Sequence, residues 1–169
     1  MTPHTLKQPP SVEAHEGAWI YVSGPMQVAE PSRAVDFYDR LADAVQSSGW
    51  HVYRPYQDAL DPPSDDRVPL FDRLRHALDH ADACVLYVGR PSSGVGAELA
   101  FAHARARPVI AVSLDDDEPS PFVASLLATY SRARTVTGTD PQACADAVGR
   151  VLADPAFAEI VRQASTEVT

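Results

Sequence analysis

Cysteine is scarce in this chain: Cys84 and Cys144 are the only two in 169 residues. Cys84 lies in an apolar run and Cys144 in a stretch of helical spacing, so both read as buried free thiols of a reducing compartment. A CxxC pair, a Cys/His metal spacing and a Cys beside a plausible base are all absent, which excludes the common zinc and redox motifs. Excess positive charge is lacking too. Fourteen Lys and Arg face 23 Asp and Glu, a net charge of -9, so a surface built to grip a nucleic-acid polymer is excluded. A small anionic ligand is not, because backbone amides supply a local positive site on an acidic protein. No run spans a bilayer and the N-terminus carries no basic-then-apolar signal. The expectation is a cytoplasmic protein with no membrane partner, no cofactor and no metal, since no ligand cluster is visible. Internal repeats and low-complexity tracts are also missing.

What remains is ordinary globular composition, 45% hydrophobic and 22% charged, in a length that suits one domain with a real core. Residues 1–16 hold Pro3, Pro9 and Pro10 without apolar period and read as a disordered tail; residues 17–154 read as the domain; residues 155–169 read as a C-terminal tail of helical character. Within the domain, Ala18–Ser23 reads as a buried strand ended by Gly24-Pro25. Pro31-Ser32 starts a helix carrying Val35, Tyr38, Leu41 and Val45, and Ser48-Gly49 closes it. Trp50–Tyr53 is a short strand, and Pro55–Pro69 reads as one long loop. A helix through Leu70, Leu74 and Leu78 follows, then a strand at Ala83–Val88 that looks buried on both faces. A helix opening at Gly94-Val95-Gly96, a strand at Pro108–Val112, a helix at Phe122–Tyr130, an edge strand at Arg134–Val136 and a helix at Pro141–Leu152 complete the order. Alternating strands and helices predict a single doubly wound α/β domain, Rossmann- or flavodoxin-like, with a parallel sheet of about five strands and helices on both faces. Ligands of such folds sit beyond the carboxyl ends of the strands.

The most informative segment is Gly89–Ala102, GRPSSGVGAELAFA, which leaves a buried strand and opens a helix. Gly94 and Gly96 let backbone N–H groups approach an anion, and Ser92 and Ser93 add hydroxyl donors. Glu98 falls in the first or second turn of the helix. There the N-terminal dipole is expected to favour its ionised form by ~0.3–1 kcal/mol. An ionised carboxylate beside a sugar-binding loop suits attack on an anomeric carbon. A routine helix-start glutamate after a glycine turn fits the same position. The segment is neither a Walker loop nor a dinucleotide fingerprint, having neither Gly-Lys-Ser/Thr nor the right glycine spacing.

Tyr21-Val22-Ser23-Gly24-Pro25, taken with Pro91–Leu99 (PSSGVGAEL), resembles the nucleoside 2-deoxyribosyltransferase superfamily, closest to its branch of nucleoside 5′-monophosphate N-glycosidases and cytidylate N-hydrolases. The resemblance runs from about Gly17 to Leu152. It implies that Glu98 is the nucleophile and that Tyr21 hydrogen-bonds and orients it. It implies further that Ser23, Gly24, Pro25 and Met26 approach base or sugar, and that Ser92 binds a 5′-phosphate where transferases commonly carry an aspartate. A serine can donate to a phosphate that an aspartate would repel. The superfamily also implies a homo-oligomer with a shared active site, for which Ser125, with Ser120 behind it, is the candidate from the neighbouring subunit.

Two departures from the family pattern stand out. Where the family has an aspartate that protonates or holds the departing base, this chain has Leu74. Asp72 is two residues away, about 200° around a helix, and shares a face with His76 and Asp79. Three possibilities stay open: Asp72 serves after a local shift, His76 or an acid such as Asp65 or Asp66 serves instead, or no acid exists. The second departure is Gln27, where monophosphate hydrolases often have an arginine; Arg90 is the cation that could compensate. The expected activity is hydrolysis of a nucleoside 5′-monophosphate to free base and (deoxy)ribose 5-phosphate. Base exchange between nucleosides and a non-catalytic nucleotide-binding module are the alternatives.

Overall fold

A computed structural model describes residues 18–26, 30–60 and 70–166, without the side chains of residues 58–60 and 70. Five strands form one sheet: β1 (Trp19–Ser23), β2 (His51–Tyr53), β3 (Ala83–Tyr87), β4 (Val109–Leu114) and β5 (Ala133–Gly138), in the order β2-β1-β3-β4-β5. Every pairing is parallel. The helices are α1 (Pro31–Ser47), α2 (Pro55–Leu60), α3 (Leu70–His80), α4 (Ser93–Ala104), α5 (Pro121–Thr129), α6 (Pro141–Leu152) and α7 (Pro155–Thr166). The strand order reverses between β1 and β3, and a crevice forms at that switch point in folds of this kind.

The sheet separates two cores, and alternation along the strands decides which residue enters which. Ile20, Val22, Val85 and Tyr87 join α1 and α6 residues such as Leu41 and Val148 in one core. Tyr21, Cys84 and Leu86 join Leu78, Leu99 and Val123 in the other, under α3, α4 and α5. All five residues of β3 are buried, the pattern of a central parallel strand covered on both faces. The two thiols, Cys84 and Cys144, are buried and free.

Four elements depart from the sequence reading by more than one residue. Pro55–Leu60 is helical rather than loop: Pro55 has the backbone angle that a first helical position needs, and Tyr56 is buried with its ring 5.6 Å from Tyr38. The remainder of that expected loop, with Asp65 and Asp66, lies outside the described residues, as do Gln27 and the N-terminal tail. β4 and β5 each run further than expected, because their pairing continues to Leu114↔Gly138. The stretch after Asp154 is helical as expected, but α7 is a full helix packed on the domain rather than a tail, with Phe157, Val161 and Ala164 buried. Among the described residues no helix is long and apolar enough to cross a membrane.

Candidate active site

The site is built where β1 and β3 part. Tyr21 and Ser23 are two residues apart on β1, so their side chains leave the same face of the sheet, toward α4. The α4 helix starts with Ser92 as its N-cap, the Ser92 hydroxyl accepting from the Val95 N–H at 3.4 Å. From there Glu98 is carried inward on the buried face of the helix with Val95, Leu99 and Ala102. The Tyr21 hydroxyl donates to Glu98 Oε1 at 2.8 Å, and the Ser23 hydroxyl donates to the same oxygen at 3.2 Å. Glu98 is only 8% exposed. Its second oxygen, Oε2, is buried and has no hydrogen-bond partner among the described residues.

The charge state of Glu98 differs from the expectation set by the helix dipole. Burial pushes its carboxyl up to about 7, and the bonds from Tyr21 and Ser23 offset only part of that. Glu98 is the sixth residue of α4, counted from Ser93, and the dipole acts mainly within the first turn. Burial, followed by the neighbouring carboxylate, pushes the Tyr21 hydroxyl well up, so Tyr21 remains a proton donor.

Gly24 has an internal reason to be glycine. A Cβ there would lie 2.4 Å from the Tyr38 ring, whose hydroxyl donates to the Pro25 carbonyl at 2.7 Å. Tyr38 therefore fixes the turn that leaves β1, a role the sequence reading missed although Tyr38 sits on the core stripe of α1. Pro25 is buried and Met26 packs at the edge of the same core. Gly94 and Gly96 are different: a Cβ at Gly96 would meet nothing, and one at Gly94 only the Ser92 hydroxyl, at 3.7 Å. Nothing inside the chain requires glycine at either place, although each costs a helix about 0.5–1 kcal/mol relative to alanine.

Gly96 opens onto a cavity of about 610 Å³ between the N-terminal turns of α4 and α5, bounded by Ser92, Ser93, Ala97, Ala100, Ser120 and Phe122 among others. Residues 93, 96, 97 and 100 lie on one side of α4 and Glu98 on the opposite side, given about 100° of rotation per residue. The cavity is thus separate from the carboxylate, and Ser92 stands at its lip. Ser120 caps α5 by accepting from the Val123 N–H, and Ser125 is exposed on that helix, away from the Glu98 cluster.

The acids near Leu74 do not join the cluster. Asp72 is exposed in the first turn of α3, and no hydrogen bond or ion pair links it to Glu98 among the described residues. Asp79 pairs with Arg105. His76 and His80 hold each other, with rings 4.2 Å apart and His80 Nδ1 at 2.8 Å from the His76 carbonyl. Leu74 is half-buried. Among the described residues no group of three or more His, Cys, Asp or Glu could hold a metal ion.

No family model and no curated protein matches the sequence. Solved structures do. The CMP N-glycosidase of Clostridium botulinum is similar at 14% identity and a TM-score of 0.58, over 77% of this chain and 97% of its own. A 2-deoxyribosyltransferase from Bacillus psychrosaccharolyticus is similar at 17% identity and a TM-score of 0.56, over 85% of this chain and 96% of its own. A conserved protein from Enterococcus faecalis V583 follows at 14% identity and 0.57, over 87% and 98%. The chain shares the fold of these proteins along nearly their whole lengths, a five-stranded parallel α/β sheet.

Proposed function

We propose that this protein hydrolyses the N-glycosidic bond of a nucleoside 5′-monophosphate, releasing the free base and (deoxy)ribose 5-phosphate, with Glu98 as nucleophile. One observation carries the proposal: a buried carboxylate at the switch point of the sheet has one oxygen held by two hydroxyls and the other without a partner among the described residues. Tyr21 and Ser23 hold the rotamer of Glu98 and leave Oε2 as the oxygen with lone pairs to spend. Attack of Oε2 on C1′ displaces the base, which departs with the bonding electron pair and takes up a proton. Water then cleaves the glycosyl ester, returning the carboxylate and giving the sugar 5-phosphate. Asp72, exposed at the start of α3 and outside the Glu98 cluster, is the residue we assign to proton delivery, a role that requires a local shift of α3 toward the bound base. The fold shared with a CMP N-glycosidase and a 2-deoxyribosyltransferase supports this class of chemistry.

We also infer a homo-oligomer. The α5 helix contains no charged residue and buries only Val123, while Phe122 is 64% exposed beside the cavity at Gly96. A second copy seated there would cover Phe122, and Ser125, exposed on the same helix, would lie in that contact.

The test is base release from a panel of nucleoside monophosphates and nucleosides, with and without an added acceptor base, comparing wild type with Glu98→Gln. Release from a monophosphate without acceptor, lost in the variant, is expected. Product formed only with an acceptor assigns base exchange instead. Saturable binding with the ligand unchanged assigns a binding module.

A further inference from the structure

Beyond β3 lies a second polar cluster that the Glu98 chemistry does not use. The Tyr87 hydroxyl donates to Asp117 Oδ2, and Arg90 Nε donates to the same oxygen at 3.3 Å. The Tyr87 ring is set by an edge contact with Phe37, 4.8 Å between centroids. Gly89 makes the arrangement possible: a Cβ there would fall 2.9 Å from both the Tyr87 hydroxyl and the Asp117 Cβ, and 3.1 Å from the Ser113 Cβ. The loop between β3 and α4 is thus pinned at Gly89-Arg90, directly before the Ser92 cap.

Within this cluster Arg90 is the group with unused capacity. Its side chain is 58% exposed while that of Asp117 is 19% exposed. Its Nε is engaged, and its two terminal nitrogens make no bond among the described residues. A guanidinium tethered through Nε presents those nitrogens as a preset fork, the geometry that grips a phosphate. Arg90 stands two residues before Ser92, the N-cap of α4, so its guanidinium and the Ser92 hydroxyl belong to one short loop leaving β3. Asp115, Asp116 and Glu118 flank Asp117 in sequence, but they point to solvent, where salt screens them.

We propose that Arg90, held in place by Asp117 and Tyr87, is the cation that binds the phosphomonoester of the substrate, making phosphate a requirement for tight binding. This rests on the N-glycosidase reading for the identity of the substrate, while the contact itself is independent of catalysis. Asp117 acts through Arg90 and is a positioning residue.

The experiment is calorimetric titration of the full chain with ribose 5-phosphate and, separately, ribose, for wild type, Arg90→Gln and Asp117→Asn, at two salt concentrations. Ribose 5-phosphate is expected to bind at least about tenfold more weakly to Arg90→Gln, with a shallower salt dependence, while ribose binding is unchanged. Asp117→Asn should lose several-fold for the phosphate ligand and nothing for ribose. Arg90 is exposed, so its variant keeps the fold. Equal affinity of wild type and Arg90→Gln for ribose 5-phosphate would overturn the inference, as would a wild type that does not prefer it to ribose. Loss of base release in Glu98→Gln alongside an unaffected Arg90→Gln would sink this inference alone. An Arg90-dependent affinity without any base release would sink only the catalytic proposal.

Discussion

The Tyr21 hydroxyl and Glu98 Oε1 are 2.8 Å apart although 77 residues separate them in the chain. The bond crosses from strand to helix at the point where the sheet reverses its order, and Ser23 reinforces it on the same oxygen. Its consequence is an asymmetric carboxylate, with one oxygen anchored and one not.

Removing the anchor should slow the reaction without unfolding the protein. A hydrogen bond to a charged group contributes about 1.5–3 kcal/mol, so Tyr21→Phe is expected to lower kcat about 10- to 100-fold. The same substitution should move the pH–rate profile to higher pH, because the Tyr21 bond lowers the Glu98 carboxyl. Steady-state kinetics across pH checks both effects; a lower kcat with an unshifted profile would show that Tyr21 acts elsewhere.

The raised Glu98 carboxyl sets two pH dependences. Nucleophilic attack needs the ionised form, so kcat/KM should climb through pH about 7. Stability runs the opposite way. The folded carboxyl titrates near 7 against 4.5 for an ordinary glutamate, so the folded state holds the proton more tightly. Stability from this group is complete below about 4.5 and falls as pH rises toward 7. Glu98→Gln should therefore match wild type in thermal unfolding at pH 4 and exceed it at pH 8. A midpoint difference that does not change with pH would refute this.

Gly24→Ala should destabilise the fold by about 1–3 kcal/mol, since the new methyl would lie 2.4 Å from Tyr38 ring atoms. Pairing it with Tyr38→Ala should recover part of the loss at Gly24, the sign of a direct clash; denaturant unfolding of the single and double variants measures it.

Gly96→Ala should do the reverse and raise the unfolding free energy by about 0.5–1 kcal/mol, because the site is helical and its Cβ would be unobstructed. Phe122→Asp, which places charge on the uncharged face of α5, is expected to convert an oligomer to monomer in analytical ultracentrifugation. An unchanged sedimentation coefficient would exclude that face as the contact between copies.

Most of the architecture was legible before any coordinates. Apolar runs of five or six residues bounded by Gly and Pro located β1, β3 and β4, and Leu41 and Val45 located the inner stripe of α1. Pro55–Leu60 escaped because six residues give too little period to separate helix from loop, and the burial of Tyr56 that secures it comes from α1. At the site, the glycine-serine turn singled out Glu98, and alternation along β1 could have paired Ser23 with Tyr21. The Tyr87–Asp117–Arg90 cluster gave no such signal, since its members come from the end of β3 and from two separate loops.

By itself the sequence determined the order of elements, the parallel sheet and the presence of an acid beyond β3, because these follow from local periodicity and from the short reach of turns. Only the tertiary structure decided that Glu98 is buried with one oxygen bound and the other without a partner among the described residues, that its carboxyl rises to about 7 rather than falling, and that the cavity at Gly96 opens away from it. Desolvation and cross-chain hydrogen bonds depend on what surrounds a side chain in space, and neighbours supplied by distant segments leave no mark on the residues beside it in the chain.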